Sequence, residues 1–221
     1  MGELCVKNVS YRYRNGERMA LDGVSCEFLS GEVAAVVGPS GSGKTTLLSI
    51  LAGLDRPLSG RIVLNGTDLS KQDLDQYRRE EVSMIFQAFQ LFPLLTAVEN
   101  VCYPMELLGV DKRAAHDRAE TLLEKVDISP EKWGRYPSHL SGGEQQRVAI
   151  ARSMASGAQV LLADEPTGNL DSGNSKKVVE LLLKLAHEEG YCVVIVTHDP
   201  AIAEVSDRVY EMADGVLTER G

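Results

Sequence analysis

An α/β fold is what this 221-residue sequence predicts: a mixed sheet core with antiparallel strands near its N-terminal end and an inserted helical lobe. Three observations predict it. The apolar runs Val33-Ala34-Ala35-Val36-Val37, Val160-Leu161-Leu162-Ala163 and Val193-Val194-Ile195-Val196 are short and bounded by turn or chemically active residues, as central strands of a parallel sheet are. Helical stretches alternate with them, as in a doubly wound core. From Thr96 to about Ser156, by contrast, the chain is helix-rich and strand-poor.

Taken in order, Leu4 to Tyr13 and Gly60 to Asn65 read as antiparallel strands, with hairpin-like turns at Asn15-Gly16 and Asn65-Gly66. The strand Val33 to Val37 enters a glycine-rich loop, and a helix carrying Leu47, Leu48, Ile50 and Leu51 leaves it. A strand over Val82 to Phe86 ends at Gln87, where the chain departs into the lobe. There Thr96-Ala97-Val98-Glu99 is a capping box, Asp111 caps a second helix, and Ser141-Gly142-Gly143 precedes a third. The chain returns near Val160. A helix from Ser175 to Glu189 places Val178, Val179, Leu182, Leu183 and Ala186 at helical spacing, and a strand over Cys192 to Thr197 follows. The expected organisation is one domain over 1–221, with a core of 1–87 and 160–221 and a lobe of about 88–159.

Composition narrows the function. With 23 Lys+Arg against 32 Asp+Glu the net charge is −9, and no basic block stands out. Tracking along nucleic acid rests on clustered cations, so no nucleic-acid partner is expected. Direct docking on an anionic leaflet is disfavoured for the same reason. No apolar run approaches the ~20 residues that span a bilayer, and MGELCVKNVS lacks a signal layout. A membrane role therefore runs through a protein partner. Cys5, Cys26, Cys102 and Cys192 form no CxxC pair and read as reduced, mostly buried thiols of a cytoplasmic protein.

Gly38-Pro39-Ser40-Gly41-Ser42-Gly43-Lys44-Thr45 matches G-x-x-x-x-G-K-[ST] between a strand and a helix. Its glycines let consecutive N–H groups curl around phosphate oxygens, and the helix start adds partial positive charge. Lys44 is placed to reach the β- and γ-phosphates and the Thr45 hydroxyl to ligate Mg²⁺. Asp164-Glu165 sets two acids at the carboxyl end of a buried strand, where open α/β sheets bind ligands. Adjacent strand residues point to opposite sides, so the pair divides its labour: Asp164 toward the metal, Glu165 as general base on the attacking water. Ser141-Gly142-Gly143-Glu144-Gln145 is a second small turn opening a helix, either another phosphate cradle or a plain serine cap.

These motifs, with Asn169-Leu170-Asp171 and Thr197-His198-Asp199, stand in the order of the ATP-binding cassette (ABC) ATPases, which the chain resembles over essentially its whole length. The resemblance implies a P-loop NTPase (RecA-like) core, ATP and Mg²⁺ as cofactors, and ATPase activity. It also implies a head-to-tail homodimer in which the Ser141–Gln145 turn of one copy closes on ATP held by the other. Tyr13 resembles the aromatic that stacks on adenine, with Tyr11 the competitor; Thr46 joins the phosphate loop. Gln87 resembles the glutamine that touches Mg²⁺ and the attacking water, Asp171 the aspartate coupling the two sites, and His198 the histidine on the γ-phosphate. His116, His139 and His187 receive no role.

The wording of Ala52 to Pro57, Gln87 to Val101 and Ala163 to Ser172 resembles one subgroup, the macrolide-export, lipoprotein-release and bacitracin-resistance ATPases. The implied partner is an integral membrane permease. It would dock on the apolar surface around Phe86, Phe89, Leu91, Phe92 and Leu94, leaving this chain peripheral on the inner face of the cell membrane. A regulator controlling an extracytoplasmic hydrolase shares every catalytic residue with this reading. A soluble DNA-repair or translation ATPase would need long coiled-coil insertions, paired cassettes or a basic face, and the chain has none.

Overall fold

A computed structural model describes residues 3–14 and 16–220. Two sheets carry the fold. The first is antiparallel, in the order β2-β1-β4-β5, from β1 (Glu3–Tyr11), β2 (Leu21–Leu29), β4 (Ser59–Leu64) and β5 (Thr67–Asp68). The second has six strands in the order β10-β9-β3-β8-β7-β6: β3 (Val33–Val37), β6 (Val82–Phe86), β7 (Val160–Asp164), β8 (Cys192–Thr197), β9 (Arg208–Ala213) and β10 (Val216–Glu219). All its pairings are parallel except that of β9 with β10. The helices are α1 (Lys44–Leu51), α2 (Leu74–Glu80), α3 (Ala97–Leu107), α4 (Lys112–Lys125), α5 (Gly142–Ala155), α6 (Ser172–Glu189) and α7 (Pro200–Val205).

The apolar runs are explained by burial on both faces of the parallel sheet. Val33, Leu161, Ala163, Val193 and Ile195 face one core, shared with α3 to α6. Their neighbours Ala34, Val36, Val160, Leu162, Val194 and Val196 face a second core, shared with α1 and the antiparallel sheet. A period of two on a strand covered on both sides leaves no polar positions. Because β3, β6, β7 and β8 run parallel, the loops that follow them all emerge at one sheet edge.

Between Phe86 and Val160 the described chain holds helices and no strand. The caps read from the sequence are present: Thr96 with Glu99 closes a capping box on α3, and the Asp111 side chain accepts from the N–H groups of Arg113 and Ala114. Asn65 and Gly66 turn β4 into β5 with φ of 51° and 81°, the left-handed pair of a type I′ turn. Asn15 lies outside the described residues. The hairpin of β9 and β10, turned at Asp214-Gly215 with φ of 47° and 82°, carries the same two-residue signal and was not anticipated.

Two boundaries move. The first strand ends at Tyr11, leaving Tyr13 outside it, and α6 begins at Ser172, three residues before the Ser175 start read from the sequence. The polar first turn of α6 is set by its cap, Asp171, which periodicity cannot see. All four cysteines are buried and free. Burial pushes Cys26 and Cys192 up to about 12, which makes them poor nucleophiles.

Candidate active site

The loop after β3 wraps close against the rest of the chain. A Cβ at Gly43 (φ 114°) would meet the Ala20 carbonyl at 2.4 Å, and one at Gly38 would meet the Met212 carbonyl at 2.1 Å. Only glycine lets the backbone pass so near. Lys44 is 8% exposed, and its ammonium donates to the carbonyls of Gly38 (2.7 Å) and Pro39 (2.9 Å). A buried cation arched over the loop holds charge where phosphate oxygens would lie. Ser40, Gly41 and Thr45 are exposed, while Ser42 is buried. Thr46 is buried, and its hydroxyl meets the Tyr13 hydroxyl at 2.9 Å.

That contact places Tyr13 beside α1, and half of its surface is exposed. Tyr11 packs edge-on against it, ring centres 5.1 Å apart, but lies against the antiparallel-sheet core. Of the two tyrosines, Tyr13 offers the accessible ring.

Thr45 Oγ1 donates to Asp164 Oδ1 at 3.3 Å, joining the loop to the end of β7. Burial raises the affinity of the Asp164 carboxyl for its proton, and the charge of Glu165 adds to this. Thr45 and Lys44 pull the other way without prevailing. A hydroxyl and a half-buried, under-compensated carboxylate 3.3 Å apart are hard oxygen donors, so this pair suits Mg²⁺. When bound, such an ion neutralises charge developing on phosphate oxygens.

Glu165 departs from the sequence reading. It lies beyond β7 with φ 47°, so strand alternation does not aim it. Its N–H donates to the Val196 carbonyl (2.9 Å), and its own carbonyl accepts from Gly168 (3.1 Å). A left-handed glutamate costs ~1–3 kcal/mol and persists where its surroundings dictate it. The carboxylate is held at both oxygens: the Thr197 hydroxyl donates to Oε2 at 3.1 Å, and His198 Nδ1 lies 2.8 Å from Oε1. His198 itself is exposed. Thr197, buried and also accepting from the Asp199 N–H at 3.0 Å, is a support the sequence reading quoted without a role.

Gln87 follows Phe86, the last residue of β6, whose backbone pairs with Asp164 at the end of β7. Its Nε2 donates to Asn169 Oδ1 at 3.2 Å, and Asn169 Nδ2 donates to the Gln87 carbonyl at 3.0 Å. Asp171 caps α6, accepting from the backbone of Asn174 (2.9 Å) and from its side chain (2.6 Å). These bonds, the backbone one first, hold its carboxyl below the usual range. Asn169 was quoted within a motif but given no role, and Asn174 was not singled out from the sequence, where an isolated asparagine signals nothing beyond a turn.

Ser141 caps α5 as the plainer reading held: its hydroxyl accepts from the Glu144 N–H at 3.4 Å, and Glu144 accepts from the Ser141 N–H at 2.8 Å. Glu144 also pairs with Lys132 at 2.6 Å. Burial opposes ionisation of Glu144, but Lys132 and Ser141 overcome it and hold the carboxyl at about 2. Gln145 donates to the Leu140 carbonyl at 3.1 Å. Gly142 faces Leu170 and Phe89, and Gly143 lies under Asn174. Among the described residues, no hydrogen bond or ion pair joins Ser141–Gln145 to the Gly38–Thr45 loop. The structure brings Lys44, Thr45, Asp164, Glu165, Gln87 and His198 to one edge.

The profile of the ABC transporter family matches residues 7–168. The chain belongs to that family. Among relatives of this ABC ATPase, the lipoprotein-releasing system ATP-binding protein LolD 2 of Rhodopirellula baltica is 43% identical over 219 residues, 95% of this chain and 86% of the relative. The macrolide export ATP-binding/permease protein MacB of Salmonella typhimurium is 45% identical over 220 residues, 97% of this chain but 33% of that longer protein. The dimeric structure of MJ0796, a bacterial ABC transporter cassette, superposes with a TM-score of 0.87 at 38% identity, covering 99% of each chain. A second dimeric structure of MJ0796, in a post-hydrolysis state with ADP and Pi, superposes equally well. The mixed α/β core is thus the P-loop NTPase fold of these cassettes, and the chain is an ATP-binding subunit of an ABC transporter with ATPase chemistry.

Proposed function

We propose that two copies of this chain sandwich two ATP·Mg²⁺ head to tail and that the closing and reopening of this dimer drive a separate membrane permease. The observation that carries the reading is Glu165: a strained carboxylate held by Thr197 and His198, one residue past a carboxylate hydrogen-bonded to the phosphate loop. In this scheme Lys44 binds the β- and γ-phosphates, and Thr45, Asp164 and Gln87 hold the metal. Gly38 to Gly43, with Thr46, cradle the phosphates by backbone and hydroxyl groups, and Tyr13 stacks on adenine at roughly 1–3 kcal/mol. Glu165 takes the proton of the attacking water, and Lys44 and His198 stabilise charge developing on the γ-phosphate.

Ser141, Gly142, Gly143 and Gln145 complete the partner's site, and Asp171 couples the two. The dimeric cassettes that the chain resembles support this assembly. Residues 1–87 and 160–221 would act as the nucleotide-binding core and about 88–159 as the lobe that moves against it.

The permease would seat over a cleft of about 390 Å³ lined by Met84, Phe92, Tyr103, Leu107 and Leu108 between the two parts. In this reading the work done is export, or mechanical transmission, acting on antimicrobial, peptide or lipoprotein-like cargo, with this subunit peripheral on the inner face of the membrane; the lipoprotein-releasing and macrolide-export names of two relatives support its lipoprotein and antimicrobial parts. Among the described residues no helix is long and apolar enough to cross a membrane.

Glu165→Gln tests the reading directly. ATP should still bind, turnover should fall by ~10²–10⁴-fold, and an ATP-dependent dimer should accumulate on a sizing column. A monomeric, fully active variant would overturn the role of Glu165. The same trapped dimer, tagged and used to capture partners from detergent-solubilised membranes, should recover a permease with few spans and a large extracytoplasmic domain. Recovery of no membrane protein with the dimer intact would overturn the proposal that the dimer drives a separate membrane permease.

A further inference from the structure

Asn169 makes two bonds to one residue, and their chemistry fixes an orientation. The Gln87 carbonyl can only accept, so the group of Asn169 facing it at 3.0 Å must be the Nδ2 donor. Oδ1 of Asn169 then points to the end of the Gln87 side chain, at 3.2 Å, and can only be met there by a donor. Nε2 of Gln87 is thereby turned to Asn169 through one of its two N–H groups, and Oε1 is left to face elsewhere. The seat is made by the next residue back: a Cβ at Gly168 would lie 2.7 Å from Gln87 Nε2 and 3.0 Å from Cδ.

An unrestrained glutamine amide presents its oxygen and its nitrogen with similar ease, yet only the oxygen can ligate a cation or accept from a water. We propose that Asn169 is a positioning residue that holds the Gln87 amide with Oε1 toward the metal and the attacking water. This rests on the reading of Gln87 as a metal neighbour given above.

The test is retention of Mn²⁺, a probe for Mg²⁺, by the ATP-loaded dimer in the Glu165→Gln background, read from the EPR signal of free Mn²⁺. Asn169→Ala should weaken Mn²⁺ binding about three- to tenfold, the worth of one lost orienting hydrogen bond, with ATP affinity in EDTA unchanged. Gln87→Ala should weaken it at least as much, and adding Asn169→Ala to it should cost nothing more. Gln87→Glu supplies the decisive background: a carboxylate offers an oxygen whichever way it turns, so there Asn169→Ala should produce no weakening. Equal weakening in the Gln87→Glu background would reduce Asn169 to general support of its loop and overturn the proposal. So would Asn169→Ala without effect while Gln87→Ala weakens binding. Gln87→Ala without effect would instead overturn the metal-neighbour reading of Gln87, and this proposal with it.

Discussion

Thr197 shows how much of the reactive edge depends on one buried hydroxyl. It donates to Glu165 Oε2 and accepts from the Asp199 N–H, so one side chain orders both the Glu165 carboxylate and the cap of α7. Thr197→Val keeps the shape and removes both bonds. A freed Glu165 carboxylate should lose its fixed aim, and the ATPase rate should fall about tenfold, in line with ~1.4 kcal/mol per decade. The check is steady-state kinetics alongside a nucleotide-binding isotherm, in which binding stays within about twofold. The sequence marked Thr197, His198 and Asp199 as one motif and read His198 alone as chemical. The hydroxyl's role becomes visible only once β7 and β8 lie side by side.

At the scale of elements, α5 is tied down at its first turn. The Ser141–Glu144 capping box and the Lys132–Glu144 ion pair meet in one carboxylate. Its folded pKa, about 2, lies below the ordinary 4.5. A depressed carboxyl stabilises the fold above its unfolded pKa, and this contribution is lost as pH falls through the folded value. Glu144→Gln should therefore cost about 1–2 kcal/mol near neutrality. The difference between the two proteins in denaturant melts should shrink between about pH 5 and pH 2. A difference unchanged across that range would remove the ionised box as the anchor of this turn. The capping pattern was legible locally because it spans four residues. Lys132, twelve residues away, was not, and neither was Asn174, which packs over Gly143 from the first turn of α6.

On the scale of the whole molecule, the cleft between core and lobe is where a permease would transmit force. Leu107 and Phe92 line it, with 61% and 40% of their surface exposed. Arg152 secures its wall, donating to the carbonyls of Phe89 and Gln90, whose φ values of 57° and 49° are left-handed. Of the apolar surface expected after Gln87, Phe92 and Leu94 are exposed, whereas Leu91 packs against the core. Leu107→Glu should lower capture of the membrane partner at least fivefold. Unfolding stability should stay within ~0.5 kcal/mol, as for an exposed substitution. Undiminished capture would move the docking surface elsewhere.

What the sequence alone determined about this protein is whatever is encoded over a few adjacent residues. The doubly buried strands appear as apolar runs, the phosphate loop as its glycine spacing, and the helix caps as Thr96, Asp111 and Ser141. The family follows from the order of such motifs. Tertiary structure decided what depends on segments far apart in the chain. It set the left-handed turn that aims Glu165 against strand alternation, the contact of Tyr13 with Thr46 across 33 residues, and the clasp of Asn169 on Gln87 across 82 residues. The physical reason is that a hydrogen bond between distant segments leaves no periodicity or local pattern. Each partner alone is an ordinary polar residue until the sheet places it.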